Sequence, residues 1–419
     1  MMPILLLRKR DVPTRSFSFM GGVLPEGLTF SRASSAWYFD STGTLQQASS
    51  NNPRFDCDPA TGVLKGLLIE EQRTNNIRNS VASGAAAGTP GTGPTYWSLW
   101  TNVSGLTRSI TGLGTEYGMP YIDVRWYGTA SSSNNCGITL EQTTANPSVK
   151  NDIWTVSSFV KLVDGSQTNV NGLNIAINEF NSTPSYLTGG GKSITLTSTL
   201  QRVSYTRTLT GDTTAYAQPL IQFSVSSGNS IDITIRVYQP QFEKDKTVTS
   251  PIVTSGSMVT RAADSLYTNS IPWFNASEGA FLAEAIIPGV DTENAYTVFF
   301  NDNSTNNAVC TSIETGTSKP KAFVTLSGTS NFSGVTLSAI SAYSVFRQAM
   351  RYKSGNNYMA VNGAIDSAGG MGVSNVPSAI ARLDLGNRPD GWRPLNGWLR
   401  QFRYWNRILT DAELVKVTQ

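Results

Sequence analysis

The chain has 419 residues, of which 39% are hydrophobic, 10% aromatic and 15% charged, with a net charge of +3. This near balance of charge excludes a strong whole-chain field for nucleic acid or anionic membrane. The absence of histidine excludes Ser-His-Asp and Cys-His catalysis and histidine-ligated zinc. Abundant glycine, serine, threonine and asparagine favour turns and strands, so we expect an all-β protein.

Cysteine positions and hydropathy bear on metal sites, disulfides and membrane insertion. Cys57, Cys136 and Cys310 lie far apart and are odd in number, which indicates buried thiols rather than a metal site or a disulfide framework. No uninterrupted apolar run approaches the ~20 residues that a membrane span needs. We therefore predict no metal, no cofactor and no membrane insertion.

The chain divides into segments of different composition. Residues 1–80 are dense in turn signals and form a β-rich N-terminal segment. Residues 81–95 are rich in glycine, alanine and proline, which indicates a linker or a long loop. Residues 96–246 contain short β-branched and aromatic runs, residues 247–265 form a second linker, and a new β unit covers residues 266–419.

Alternation of apolar and polar residues predicts sandwich strands in the segment 96–246. Ile231, Ile233, Ile235 and Val237 alternate with polar residues, which places one face of the strand inward and the other outward. Several such runs at regular spacing favour a β-sandwich of the jelly-roll type.

Two local signals mark the segment 266–419. The pair Asn362-Gly363 between short apolar runs predicts a type I′ hairpin. Thr410 as N-cap and Glu413 three residues later form a capping box, which predicts a short C-terminal helix. The expected fold is an N-terminal β-rich segment, two β-sandwich (jelly-roll) domains and this one short helix.

Three stretches resemble known families. The segment 28–75, with FSRAS, YFDSTGTL, PRFDCDP and GLLIEEQRTN, resembles a segment of tailed-bacteriophage virion proteins. Residues 154–264 resemble the jelly-roll carbohydrate-binding modules embedded in such proteins. Residues from 279 to the end, through NYMAVNGA, LDLGNR and LNGWLRQFRYWNRILTDAEL, are similar to concanavalin A-like, laminin-G-like lectin domains.

The resemblance implies a structural protein of a phage virion, of tail-fibre or head-fibre type. Residues 1–80 would dock onto other virion proteins, residues 96–246 would form the carbohydrate-binding-module-like jelly roll, and residues 266–419 the lectin-like domain. Such a protein would be assembled in the host cytoplasm and exposed on the extracellular particle. Related fibres are often trimeric, so a homo-oligomer, and among these a trimer, is favoured.

Three functions follow from the resemblance. The leading one is an adhesion component that contacts host-surface polysaccharide weakly and gains strength through multivalency. The first alternative is a capsid decoration or head-fibre protein whose lectin-like folds are structural only, because fold does not fix function. The second is a polysaccharide depolymerase that uses a carboxylate pair.

Aromatic residues are the main candidates for glycan contact, since flat rings can pack against the apolar face of a sugar. Trp97 and Trp100 follow the glycine-rich segment, where loops often carry function, and Tyr117 and Trp126 lie in the early strands and loops of the jelly roll. Trp392 follows Pro389-Asp390-Gly391 and is expected on an exposed turn. For each ring, packing in the core is the competing interpretation.

Arginines and aromatic residues are interleaved near the C-terminus. The residues concerned are Arg388, Arg393, Arg400, Arg403 and Arg407 among Trp392, Trp398, Tyr404 and Trp405. The pattern could bind an acidic polysaccharide or nucleic acid by charge and stacking. The competing interpretation is a β-hairpin whose arginines face solvent or neighbouring subunits, and we favour it. No nucleic-acid partner is predicted.

Carboxylates are the remaining option for catalysis. Glu70 and Glu71 are adjacent, but neighbouring strand residues point to opposite faces, and Arg73 nearby offers an ordinary ion pair. Asp302, Asn303 and Asn306 could suggest a calcium loop, but a turn is the simpler interpretation. We predict no catalytic residue and therefore no enzyme.

Overall fold

A computed structural model describes residues 12–289, 295–314, 316–333, 338–365 and 375–419. Over these residues the protein is built of antiparallel strands, with a single α-helix, α1, at Asp411–Val417 and one 3-10 turn at Thr143–Ala145. The predicted all-β class, with β-sandwich domains and a short C-terminal helix, is confirmed. No helix in the described part of the chain is long and apolar enough to cross a membrane.

The strands are numbered in chain order. Strands β1–β7 are Arg15–Ser18, Thr29–Ser31, Ala36–Phe39, Leu45–Ala48, Phe55–Cys57, Leu64–Ile69 and Arg73–Asn75. Strands β8–β18 are Ser98–Thr101, Leu106–Glu116, Met119–Thr129, Asn134–Thr139, Ile153–Gly165, Asn171–Phe180, Tyr186–Ser193, Gln201–Thr208, Tyr216–Val225, Ser230–Lys244 and Val259–Arg261. Strands β19–β29 are Ser265–Thr268, Glu278–Ile286, Ala295–Asn301, Ala308–Ile313, Pro320–Leu326, Thr329–Ser333, Val345–Lys353, Tyr358–Val361, Ala364–Ile365, Arg382–Leu385 and Gly397–Trp405.

The described residues form two compact units. One unit, here called the lectin-like unit, comprises residues 12–42, 48–72 and 262–419, and the other, the jelly-roll unit, comprises residues 43–47 and 73–261. The chain therefore leaves the lectin-like unit, builds the jelly-roll unit and returns.

Two sheets pack face to face in the lectin-like unit. The first runs β27, β26, β25, β20, β29, β6, β5, with β1 also paired to β29, and the second runs β2, β19, β28, β21, β22, β23, β24. Side chains from both sheets, such as Phe281, Phe300, Val324 and Leu399, are buried in one shared core. This arrangement leaves the other face of the second sheet available for loops and clefts.

Strands from the N-terminal segment contribute directly to both of these sheets. Strand β6 pairs with β29, β1 pairs with β29, and β2 pairs with β19. The pairing has a clear physical reason, because Leu67 and Ile69 of β6 are fully buried in the core of the lectin-like unit. The composition predicts a separate region over residues 1–80, but β1, β2, β5 and β6 belong to the two sheets of the lectin-like unit, β3 and β4 pair with each other, and β7 pairs with β18.

The jelly-roll unit is also a two-sheet sandwich. Its sheets run β15, β12, β17, β10, β9 and β14, β13, β16, β11, β8. As the alternation predicts, Ile231, Ile233, Ile235 and Val237 of β17 are all buried in its core. The intervening Asp232 forms an ion pair with Arg125 on the opposite face.

The local signals at the C-terminus are confirmed. Asn362 and Gly363 both have positive φ, 49° and 79°, and connect β26 to β27. Thr410 accepts a hydrogen bond from the amide of Glu413, whose carboxylate accepts one in return from the Thr410 amide at 2.8 Å. The three cysteines are buried and none forms a disulfide.

Candidate functional site

A cleft of about 420 Å³ lies on the outer face of the second sheet of the lectin-like unit. Strands β21 and β23 form its floor, and the loops β21–β22, β23–β24 and β28–β29 form its rim. The described residues that line it are aromatic, cationic, polar or glycine, and none of them is acidic. This composition suits a polar ligand.

The floor of the cleft is aromatic. A bulge between Tyr296 and Val298 brings Tyr296 and Phe299 to the same face of β21, away from the main core. The Tyr296 ring packs edge-on against Phe299 and Phe323, with ring centroids 5.2 and 5.9 Å apart. Since these rings are at most 9% exposed, they form a rigid base and offer little open face for stacking.

Two rim loops are held by hydrogen bonds. One oxygen of Asp302 accepts from the amide and hydroxyl of Ser304, at 3.0 and 2.6 Å, and the other accepts from Asn307 at 2.7 Å. The Gly328 amide donates to the carbonyl of Asn306 at 2.9 Å, which ties the loop β21–β22 to the turn after β23. The exposed Asn306 side chain is therefore presented from an ordered loop.

These contacts also explain the Asp302, Asn303 and Asn306 cluster. The Asp302 carboxylate is engaged in a turn, and its hydrogen bonds outweigh the effect of burial and lower its pKa. In the described part of the chain, no group of three or more histidine, cysteine, aspartate and glutamate residues is placed to hold a metal ion.

Three cations complete the lining of the cleft. Lys321 forms an ion pair with Glu314, and burial lowers the pKa of its amine. Arg388 forms an ion pair with Asp390 at 2.5 Å and lies 5.9 Å from the Tyr296 ring centroid. The third cation, Arg393, lies on the loop β28–β29, where its carbonyl accepts from the Tyr296 amide at 3.2 Å.

Trp392 lies between the two cleft arginines in sequence. Its side chain is 64% exposed, as expected for a residue after Pro389-Asp390-Gly391. The turn is closed by the Gly391 amide, which donates to the Arg388 carbonyl at 3.0 Å, and by the Trp392 amide, which donates to Asp390 at 3.1 Å. Trp392 therefore presents an exposed indole on the loop that also carries Arg388 and Arg393, and it is not one of the residues that line the cleft.

The other aromatic residues singled out from the sequence lie in the jelly-roll unit. Trp126 is 1% exposed and packs edge-on against Phe223, and Trp97 is 8% exposed and donates to the Asn79 carbonyl at 2.9 Å. Both rings are packed inside the unit and present no open face. Tyr117 is half-buried in the turn between β9 and β10, where its carbonyl accepts from the Leu45 amide at 2.8 Å.

Trp100 lies at the edge of a polar sheet face. Its indole N–H donates to Thr139 at 3.1 Å, and its ring lies across Gly137, where an added Cβ would come within 2.7 Å of the ring. In register along the same row of strands follow Gln222 and Asn174. This second surface combines one half-buried ring with two amides.

No family model and no curated protein matches the chain. Among solved structures, domain 4 of an extracellular GH43 arabinanase from Geobacillus stearothermophilus, in complex with arabinotriose, is 14% identical, with 38% of this chain and 73% of that chain covered and a TM-score of 0.32. The tripod from the baseplate of bacteriophage Tuc2009 is 11% identical, with 85% and 100% covered and a TM-score of 0.32. The CBM40 module of a Ruminococcus gnavus sialidase, bound to a sialyllactose, is 13% identical, with 34% and 83% covered and a TM-score of 0.29. Similarities this low carry no argument about function.

A second arginine-rich region of the lectin-like unit has a structural role. Asp264 accepts from Arg32 at 3.1 Å and from Arg54 at 2.6 Å, and Arg54 also pairs with Glu70 at 2.9 Å. Burial lowers the pKa of Arg54, but the charges of Asp264 and Glu70 outweigh this effect and raise it. We call these four residues the buried network.

The buried network also explains Glu70, one of the two adjacent glutamates of the segment 28–75. Glu70 is 3% exposed and pairs with Arg54. It therefore stabilises the fold and is not accessible to a substrate. Arg73 pairs with Asp245 at 2.8 Å.

The interleaved arginines near the C-terminus separate into two groups. Arg400 pairs with Glu284 at 2.8 Å, Arg407 pairs with Glu413 at 2.9 Å, and Arg403 is half-buried within β29. Only Arg388 and Arg393 of this set line the cleft. The sequence pattern thus combined arginines of the sheet with arginines of one loop, and the turn signal before Trp392 was the feature that marked the loop.

Proposed function

We propose that the chain is a structural protein of a tailed-phage virion that contacts host-surface glycans through the cleft of the lectin-like unit. The observation that carries the binding role is the cleft itself, with its rigid base and its polar and cationic rim; the exposed Trp392 lies on the loop β28–β29 that also carries Arg388 and Arg393. The virion role rests on the resemblance of residues 28–75, 154–264 and 279–419 to phage and lectin-like proteins. We keep the prediction that residues 1–80 attach the protein to the particle, in a trimer.

The cleft supports binding rather than hydrolysis. Glycosidases typically use two carboxyl groups about 5 to 10 Å apart on either side of the scissile bond. Among the described residues that line the cleft, none is an aspartate or glutamate. A binding site of about 420 Å³ has room for one or two sugar rings, so affinity for a single site should be weak and attachment should depend on many copies.

The sheet face formed by Trp100, Gln222 and Asn174, here called the Trp100 surface, is proposed as a second glycan-binding surface. One ring and two amides on a flat sheet face suit a neutral sugar, since amides can pair with hydroxyl groups and the ring with the apolar face. Two surfaces on each chain would raise the avidity of a multimeric particle.

The experiment is a binding assay of the purified full chain on a panel of bacterial surface polysaccharides. Trp392→Ala should lower binding about three- to tenfold, because one stacked ring contributes ~0.5 to 1.5 kcal/mol. Tyr343→Ala is the matched control, since Tyr343 is also exposed, at 66%, but packs near Trp398 of the first sheet.

Two results would overturn the glycan-binding proposal. The first is the absence of binding to every polysaccharide of the panel, which would favour a decoration or fibre protein whose sandwiches are structural. The second is equal binding by Trp392→Ala, Trp100→Ala and the unmodified chain, which would place the contact elsewhere. Release of reducing ends from a bound polysaccharide would indicate a depolymerase.

A further inference from the structure

The outer face of the second jelly-roll sheet carries amides on two neighbouring strands. In β13 and β16, apolar residues point into the core at alternate positions, so the residues between them point outward. The outward residues include Asn174, Asn178, Gln218 and Gln222. Trp100 lies on β8, two strands away from β16 on the same face. We call this face of β8, β11, β16, β13 and β14 the amide face, and the Trp100 surface is one end of it.

Aromatic rings also mark the opposite end of the amide face. Tyr186, Phe180 and Tyr216 lie in register on β14, β13 and β16. The Tyr186 ring is 60% exposed and packs edge-on against Phe180, with ring centroids 6.0 Å apart. The stretch of β13 from Asn174 to Phe180 separates these rings from the row of Trp100, a distance of roughly 20 Å at about 3.4 Å per residue. The face therefore carries an aromatic ring at each end, with amides between the two.

Glycines keep the floor of the amide face shallow. Gly137 pairs with Trp100, and Gly189 pairs with Asn178. A Cβ at Gly137 would lie 2.7 Å from the Trp100 ring, and a Cβ at Gly189 would overlap the Oδ1 atom of Asn178. The absence of a side chain at both positions lets the ring and the amide lie along the sheet, where they can contact an extended ligand.

Two of the half-buried amides have unused hydrogen-bonding capacity. No hydrogen bond joins the side chains of Asn178 and Gln222 to any residue in the described part of the chain. Gln218 differs, because it is 8% exposed and donates to the Thr143 hydroxyl at 2.6 Å, which holds the 3-10 turn against β16. Each unpaired amide offers donors and an acceptor, the groups that pair with sugar hydroxyls.

The strand positions of the amide face are uncharged. The described residues that point outward between Trp100 and Tyr186 are polar, aromatic, aliphatic or glycine, and none of them is charged. Hydroxyl groups match the amides, and the apolar faces of sugar rings match the two aromatic side chains. The edge strands of the sheet are β8 and β14, so no further strand continues it on either side. A polysaccharide chain can therefore extend past both edges.

We infer that the amide face binds an internal stretch of a neutral, extended polysaccharide that runs from Trp100 to Tyr186. Sugar rings pack on these two aromatic side chains, and the intervening Asn178 and Gln222 pair with hydroxyl groups. This inference rests on the proposed glycan-binding function, and it adds the ligand class and a second aromatic contact to the Trp100 surface.

The test titrates the full chain with neutral linear glucans, mannans and galactans and with their oligosaccharides of increasing length. Affinity should rise with length until the ligand reaches both rings and then stay constant. Tyr186→Ala and Trp100→Ala should each lower affinity for the long chains about three- to tenfold, because each removes one stacked ring. Asn178→Ala should lower it about two- to tenfold through the loss of a hydrogen bond.

Matched controls assign the effect to the amide face. Tyr343→Ala removes a ring of similar exposure, 66%, from the lectin-like unit and should leave affinity for the neutral chains unchanged. A polyuronate is the charged comparison, and its binding should not change in any of these variants. Thermal unfolding separates lost binding from lost folding. Tyr186→Ala keeps the test decisive even if Trp100→Ala does not fold, because the Tyr186 ring is exposed.

The outcomes distinguish this inference from the proposed function. Equal affinity for short and long oligosaccharides would overturn the extended site. Binding of neutral chains that Trp392→Ala weakens, but that Tyr186→Ala and Asn178→Ala do not, would overturn the inference and leave glycan binding in place. A larger loss of polyuronate binding than of neutral binding in Tyr186→Ala would overturn the ligand class. No binding to any polysaccharide would overturn both proposals.

Discussion

The buried network and the cleft use the same residue types within one unit of the protein, and they differ in where the carboxylates lie. In the network, Asp264 is bound by both Arg32 and Arg54 with no exposure of any of these side chains. In the cleft, Arg388 and its partner Asp390 are 18% and 40% exposed, and only the arginine lines the cavity. A cation that is buried together with its partner stabilises the fold, whereas a cation on the wall of a cavity can contact a ligand.

The largest expected effect tests the network. Asp264→Asn would leave Arg32 and Arg54 buried without their shared carboxylate, and we expect a loss of about 3 to 5 kcal/mol in the free energy of unfolding. Urea denaturation followed by tryptophan fluorescence would measure it. Glu278→Gln, which removes a partly exposed pair with Lys353, is the control and should cost about 1 kcal/mol or less. A similar small change for both variants would contradict the structural role of the network.

Sequence patterns predicted the features that depend on neighbouring residues. The alternation in Ile231 to Val237, the Asn362-Gly363 turn and the Thr410–Glu413 capping box each have their cause within a few residues of chain. The exposure of Trp392 belongs to the same class, because the turn before it is local. Such features carry their physical reason in the sequence itself.

The pairing of distant strands could not be predicted in this way. The apolar residues Leu67 and Ile69 show that β6 belongs in a core, but the sequence does not show that β6 pairs with β29, more than 300 residues later. The cleft could not be predicted from the sequence either. All residues of β21 are buried, and the bulge after Tyr296 shifts which of its side chains point to each face of the sheet. Its cations come from β23 and the loop β28–β29, which only the fold brings together.

The ion pair between Arg407 and Glu413 at the C-terminal helix is an intermediate case between the buried network and the cleft. Arg407 and Glu413 are 30% and 24% exposed, and the hydrogen bond from Arg407 is the main cause that lowers the pKa of Glu413, from 4.5 to about 2. Because the folded pKa lies below the ordinary value, this contribution is fully present above about pH 4.5 and is lost as the pH falls toward 2.

Glu413→Gln should therefore remove part of the acid sensitivity of folding. We expect the variant to be about 1 kcal/mol less stable than the unmodified chain at pH 7, and the difference to shrink between pH 4.5 and 2. Thermal unfolding at a series of pH values would measure this. Thr410→Ala, which removes the hydroxyl of the cap and retains the carboxylate, should cost a similar amount at pH 7 but keep more of the pH dependence. A constant difference between Glu413→Gln and the unmodified chain at all pH values would contradict the assignment.

The smallest expected effect concerns the cleft. Asp390→Asn removes the carboxylate that competes for Arg388, while the amide oxygen can still accept from the Trp392 amide and keep the turn. Because Asp390 is 40% exposed, stability should change little, and affinity for a glycan bound in the cleft should rise about two- to threefold. Isothermal titration of one bound polysaccharide with both proteins would measure the ratio. Removal of a carboxylate would then weaken the buried network and strengthen the cleft, and a loss of affinity would instead show that Asp390 positions Arg388 for binding.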